Sequence, residues 1–333
     1  MKEILAAGPK EYQNNKMFDI SNPIFNRDNC MEPNIELKKA FAKAGYDYKT
    51  FDLGDPEKAE YIIFSDIIHC APLYEKCVQM GLQRKMILFI WEPPVVSRLD
   101  YDKEIHKNFR TIFTWMDDLV DGKKYKKFYW PQPSLPHQIR YVPFSERKLL
   151  TLISGNKTST HPKELYSERM TAIEYFSSKV PYDFDFYGMG WEREINILVK
   201  IKEALSPSYY RCYRGTVKSK YDMLANYKFC VCYENMKDVR GYITEKIFDC
   251  FKSRTVPIYY GASNITDYIP KDCFIDLRDH NGYDSLLNTI RGMPEPRFNE
   301  HIAAIDKFMK SNEAKLFSNE FFVNTIIKGV LGC

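Results

Sequence analysis

The chain has 333 residues, 44% of them hydrophobic and 15% aromatic, enough apolar material for two α/β domains and no long disordered part. Its 48 basic and 44 acidic residues leave a net charge of +4, too even for a dedicated nucleic-acid binder, and no basic patch interleaved with aromatics occurs. No run reaches the roughly 18 apolar residues that a membrane span requires, and the N-terminal residues carry no signal-peptide pattern.

Residues 3–7 read as a first short strand. Residues 12–32 are rich in Asn, Asp and Pro, a loop too long for a mere connection; such loops are often functional. Asn26, Arg27 and Asp28 are its candidates for a polar ligand site, the alternative being a packed surface loop. Residues 33–45 place Ile35, Leu37, Ala40, Phe41 and Ala44 at helical spacing. Strands are expected at 46–53 and 61–68, a helix at 73–80 and a buried strand at 86–90. Trp91, Glu92, Pro93 and Pro94 follow at once. Pro93 keeps Glu92 extended, so a carboxylate stands at the end of a central strand, a good place for catalysis; an ordinary exposed strand end is the alternative. After a strand at 111–115 come Asp117, Asp118 and Asp121, whose neighbouring lysines favour a solvated loop over a metal site. The proline-rich stretch 130–136 signals the end of an N-terminal α/β domain spanning residues 1–146.

The second half opens with a strand at 149–153. A helix at 163–178 shows an apolar face of Leu165, Met170, Ile173 and Phe176. Arg169 borders that face, either as a functional cation or as a surface charge with its stem packed along the apolar edge. A strand at 183–187 ends in Gly188 and Gly190, too little for a nucleotide fingerprint. Residues 227–261, YKFCVCYENMKDVRGYITEKIFDCFKSRTVPIYYG, read as strand, loop, helix and strand. Such a βαβ unit builds a parallel sheet covered by helices. Lys246 falls in the first helical turn, where the macrodipole is already positive; a lysine there is unfavourable unless an anion shares the site. Glu234, Asn235, Tyr242 and Glu245 crowd the same end of the sheet, and ligands in open α/β sheets bind at the carboxyl ends of strands. The cluster points to an anionic, nucleotide-type ligand, against a solvated loop with a capping carboxylate. Helices at 283–290, 297–311 and 321–331 close the chain, giving a second domain at 147–310 and a closing helix within 311–333.

The nine cysteines are odd in number and lack CxxC spacing, which favours reduced thiols in a cytosolic protein over a disulfide framework. There is no HExxH, no paired-cysteine zinc motif, no GxSxG and no Walker loop. The nucleotide reading therefore does not pass through a P-loop.

The order YKF, YEN, YITEK and VPIYYG within residues 227–261 resembles the donor-binding motif of the α1,3/4-fucosyltransferases, glycosyltransferase family 10. HPKELYSER at 161–169 and FDFYG at 184–188 also resemble family segments. The resemblance covers residues 149–270 and is weak before them, where only Glu92 followed by Pro93 is similar to the position of the family's general base. It implies an α/β chain of GT-B architecture, two Rossmann-like domains facing across a cleft, with GDP-fucose held by the C-terminal domain and an oligosaccharide acceptor by the N-terminal one. Arg169 and Lys246 would contact the diphosphate, and Asn235, Tyr242 and Glu245 would lie at the nucleotide sugar. Glu92 would act as base, with no cofactor and no required metal.

That chemistry is consistent: inverting transfer needs a base for the acceptor hydroxyl proton, a carboxylate such as Glu245 beside an oxocarbenium-like sugar, and cations on the departing diphosphate. The chain shows neither the membrane anchor and luminal disulfides of animal members nor the heptad repeats and basic tail of some bacterial ones. It is similar to a soluble bacterial-type member, expected in the cytoplasm or at the inner face of the membrane with at most peripheral association. Two alternatives stay open: the same fold with another GDP-sugar, and a non-catalytic glycan- or nucleotide-binding module.

Overall fold

In the computed structural model, which describes residues 1–191 and 211–332, the strands form two separate sheets in which every described pairing between strands is parallel. Cys333 lies outside the described residues. The first sheet contains β1 (Lys2–Ala7), β2 (Tyr46–Thr50), β3 (Tyr61–Ser65), β4 (Met86–Ile90), β5 (Thr111–Thr114) and β6 (Tyr125–Lys127), in the order β2-β1-β3-β4-β5-β6. All five residues of β4 are buried, as expected for a central strand whose two faces are covered. The register pairs Ile63 with Ile87 and Ile87 with Thr111. Helices α1 (Glu32–Lys43) and α2 (Ile67–Gln79) belong to this unit.

The second sheet contains β7 (Lys148–Ile153), β8 (Phe184–Tyr187), β9 (Tyr227–Tyr233), β10 (Val256–Tyr260) and β11 (Ile275–Asp276), in the order β11-β10-β9-β7-β8. Helices α3 (Tyr166–Lys179), α4 (Glu245–Lys252), α5 (Gly282–Arg291) and α6 (Glu295–Met309) belong to this unit. The strand order reverses at β7, so the carboxyl ends of β7 and β9 flank a topological switch point, the usual ligand position in such sheets. In the first sheet the corresponding reversal lies between β1 and β3.

The chain divides at Pro136, inside the proline-rich connector and ten residues before the boundary expected from the sequence. The first unit also takes in Arg240–Tyr242 and the segment from Lys315 onward; the second is His137–Val239 with Ile243–Ala314. The C-terminal helix Asn319–Leu331 is thus part of the first unit's core rather than a separate closing helix. Phe322 packs against Phe89, Trp91 and Phe128, with ring centroids 6.3, 5.7 and 6.1 Å apart. Gly329 permits the close approach, since a Cβ there would stand 2.4 Å from the Phe113 ring.

Candidate functional site

Of the residues singled out in the second half, Arg169, Glu234, Asn235, Glu245 and Lys246 converge at the carboxyl ends of β7 and β9, and Tyr242 does not. Arg169, on the second turn of α3, is 7% exposed and does not lie on the surface. Its Nη2 donates to the Tyr233 carbonyl at 2.7 Å and to Asn235 Oδ1 at 2.9 Å, and its Nη1 donates to Ser154 Oγ at 3.2 Å. One guanidinium therefore ties the exits of both strands together. Ser154 is itself fixed by the turn after β8. Gly188, at φ +148°, runs so close that a Cβ would stand 1.8 Å from the Ser154 carbonyl oxygen. The glycine in the sequence GMG is required by this contact between strand exits, not by a phosphate loop.

Glu234 follows β9 and is fully buried. Its carboxylate accepts from the Thr244 N–H at 2.9 Å and from Thr244 Oγ1 at 2.8 and 3.0 Å. Thr244 caps α4, whose first two residues are Glu245 and Lys246. Lys246 Nζ lies 3.1 Å from Glu234 Oε2, 3.0 Å from Thr244 Oγ1 and 3.7 Å from Glu245 Oε1. The lysine at the helix start thus has a counter-charge within the protein, which the local dipole argument did not supply. Sequence reasoning placed Glu234 in the cluster and gave it no role. The available signal was a carboxylate directly after the buried apolar run Phe229–Tyr233, where it must find a buried partner.

Burial would lower the Lys246 pKa, but Glu234 and Glu245 outweigh it and raise the value, with Arg169 opposing them. Burial would likewise raise Glu245; Lys246 and Lys220 instead hold its carboxyl down at about 2. Two carboxylates and two cations thus share one strand-end cluster, and within it Glu245 and Lys246 hold each other in their charged forms. Together with the N-terminus of α4 they form an electrostatically preorganised patch in which the cations can answer a diphosphate and Glu245 an electron-poor sugar carbon.

The other sequence candidates belong to the first unit. Glu92 stands two residues beyond β4; its backbone N–H donates to Asp66 Oδ1 at 3.1 Å and its carbonyl accepts from Tyr101 Oη at 2.9 Å. Tyr242 is buried and lies against Trp115, ring centroids 4.4 Å apart. It is therefore grouped with the first unit rather than with Arg169, Asn235, Glu245 and Lys246. In the long loop, the Asn26 amide is spent locally: Nδ2 donates to the Ile20 carbonyl at 2.9 Å and Oδ1 accepts from the Met31 N–H at 3.0 Å. Arg27 is exposed, and its Nε stands 4.0 Å from Asp28 Oδ2. Among the described residues no group of three or more His, Cys, Asp or Glu side chains is arranged to hold a metal ion, and no helix is long and apolar enough to cross a membrane.

Residues 150–300 match the family model described as glycosyltransferase family 10 (fucosyltransferase), C-terminal. Residues 150–300 are thus similar to the C-terminal domain of glycosyltransferase family 10. It is 40% identical over 76 residues to the alpha-(1,3)-fucosyltransferase FucT of Helicobacter pylori, covering 22% of this chain and 16% of that protein. It is 33% identical over 230 residues to the 4-galactosyl-N-acetylglucosaminide 3-alpha-L-fucosyltransferase 9 of Cricetulus griseus, covering 66% of this chain and 50% of that protein. The matched regions span half or less of these curated relatives. Among solved structures, an α1,3-fucosyltransferase with GDP superposes with a TM-score of 0.56 at 14% identity, over 99% of this chain and 90% of that one. A DNA-modifying β-glucosyltransferase gives a TM-score of 0.56 at 11% identity, over 99% of both chains. These likenesses show the fold, two parallel-sheet α/β units of the GT-B type. The Arg169, Glu234 and Lys246 cluster lies wholly inside the segment that matches the family-10 model.

Proposed function

We propose that the protein transfers L-fucose from GDP-fucose to a hydroxyl of an oligosaccharide acceptor, O3 of a GlcNAc or Glc residue, with inversion and without a metal ion. The observation that carries this reading is the cluster at the carboxyl ends of β7 and β9, where the buried Arg169 and Glu234 and the half-buried Asn235 and Lys246 are joined by hydrogen bonds and an ion pair inside the segment that matches the family-10 model. In this reading Arg169 and Lys246 stabilise the charge that grows on the departing GDP. Glu245, ionised at neutral pH, faces the positive charge of an oxocarbenium-like transition state. Glu92 takes the acceptor hydroxyl proton. A solved α1,3-fucosyltransferase of the same fold was crystallised with GDP and with GDP-fucose, which supports the choice of donor.

The test is transfer from GDP-fucose to N-acetyllactosamine-type acceptors in the presence of EDTA, with GDP-mannose as competing donor. Transfer that survives EDTA and is lost in Glu92→Gln, with GDP affinity unchanged in that variant, is the expected result. Failure of every such acceptor together with no hydrolysis to GDP removes the fucosyltransferase reading. Preference for GDP-mannose moves the donor to another GDP-sugar, and full turnover by Glu92→Gln removes Glu92 as the base.

A further inference from the structure

Asp66 follows β3, at the carboxyl end of the strand beside the switch point of the first sheet, and occupies the N-cap position of α2. An aspartate there ordinarily accepts a hydrogen bond from the first turn of its own helix. Asp66 makes no such bond. Its backbone sits at φ 52°, ψ 125°, a conformation that residues with a Cβ adopt only under strain, and its side chain is 4% exposed. The strained backbone aims the carboxylate at the residues beyond β4. Oδ1 accepts from the N–H of Trp91 at 2.8 Å and of Glu92 at 3.1 Å. The cap that Asp66 vacates is supplied from elsewhere, by the fully buried Asp100, whose Oδ1 accepts from the Ile67 N–H.

The carbonyls of the same two residues are held as well. Trp115 Nε1 donates to the Trp91 oxygen at 2.9 Å, and Tyr101 Oη donates to the Glu92 oxygen at 2.9 Å. Every polar backbone group of Trp91 and Glu92 is thus engaged by a side chain from another element. A strand end that served only to connect would leave such groups to water. Here an aspartate, a tyrosine and a tryptophan are spent on one dipeptide, and the aspartate leaves the capping of its own helix to Asp100 to do so.

We propose that Asp66 is a positioning residue: through Oδ1 it fixes the backbone of Trp91 and Glu92, and with it the direction in which the Glu92 carboxylate leaves the sheet. The inference rests on the reading of Glu92 as the base. A base must reach its proton within hydrogen-bond distance, and a displacement of about 1 Å can cost about 10²-fold in rate. Burial and Asp100 push the Asp66 carboxyl well above the usual range, while the Glu92 and Trp91 N–H groups pull it back. The cradle therefore needs an acceptor at this position more than it needs a charge.

The experiment compares Asp66→Gly and Asp66→Asn, each in the wild-type and in the Glu92→Gln background, with transfer rates normalised to GDP-binding sites counted by calorimetry. Glycine accepts positive φ without strain and removes the acceptor. It is expected to lower kcat about 10²-fold with the GDP Kd unchanged. Asparagine retains an Oδ1 acceptor and is expected to hold kcat within about threefold. In the Glu92→Gln background the glycine effect is expected to vanish, because the group it positions is gone. An equal loss in both backgrounds, or no loss in the wild type, overturns the inference while leaving Glu92 as base. Full turnover by Glu92→Gln alone overturns the base reading and the inference with it. Should Asp66→Gly fail to fold, Tyr101→Phe removes the donor to the Glu92 carbonyl while keeping the ring. A loss of about tenfold confined to the wild-type background supports the cradle, and a loss common to both backgrounds overturns it.

Discussion

Replacing Glu234 with glutamine isolates the ion pair at the centre of the donor-side cluster. Glu234 Oε2 and Lys246 Nζ are 3.1 Å apart; at an effective dielectric of about 20 their attraction is about 5 kcal/mol before desolvation. Removing one partner of a buried pair costs about 3–5 kcal/mol. Lys246 is 26% exposed and keeps Glu245 at 3.7 Å, so the lower end, about 3 kcal/mol, applies. For a unit of this size that corresponds to a fall in Tm of about 6–12 °C. Calorimetric unfolding with and without GDP is the assay. GDP at about 100 times its Kd adds about 2.7 kcal/mol to the unit that binds it, which identifies the transition belonging to the second unit. A variant carrying both Glu234→Gln and Lys246→Met should recover most of the loss, since no unpaired charge remains. A shift below about 2 °C in Glu234→Gln, or a double variant as unstable as the sum of the singles, would refute the claim that this pair holds the cluster.

Phe322→Ala should cost the first unit about 3–5 kcal/mol, read as a lowered melting transition, because it empties the space facing Phe89, Trp91 and Phe128. Its GDP affinity should stay at the wild-type value by calorimetry, since Arg169, Glu234 and Lys246 belong to the other unit. Glu245 titrates at about 2 in the folded protein against 4.5 ordinarily, so its contribution to stability is complete above pH 4.5 and is lost as pH falls towards 2. The Tm difference between wild type and Glu245→Gln should therefore be constant from pH 5 to 7 and shrink below pH 4.5; a difference that grows on acidification contradicts the assigned direction.

The central strands were legible because they are buried, so that β4 and Phe229–Tyr233 of β9 read as continuous apolar runs. Strand β6 was not legible: its sequence YKK is half-buried at a sheet edge, where lysines discourage further pairing and leave no apolar signal. The helical pattern of residues 321–331 announced a buried face but not which core it would enter, because periodicity carries no partner information. Arg169 bordered an apolar face in sequence terms, and both a functional and a surface reading were open. Its burial follows from acceptors at Ser154, Tyr233 and Asn235, which come from other elements. Asp66 gave no signal at all. The sequence pattern placed it inside a strand at 61–68, and only the fold ends that strand at Ser65, starts α2 at Ile67 and brings Asp100 near enough to cap it.

The placement of the C-terminal helix bears on how the chain is made. The second unit, His137–Val239 with Ile243–Ala314, is interposed between parts of the first unit, so on the ribosome it is synthesised in full before the first unit has received its last helix. The usual order, in which the N-terminal domain folds first, is then inverted. Until Phe322 arrives, the aromatic wall of Phe89, Trp91 and Phe128 has no cover on that side, and Trp91 is the residue immediately before Glu92. The nascent first unit therefore offers chaperones and aggregation partners an apolar face next to the proposed base, and the same helix that hides this face late in synthesis completes the support beneath Glu92.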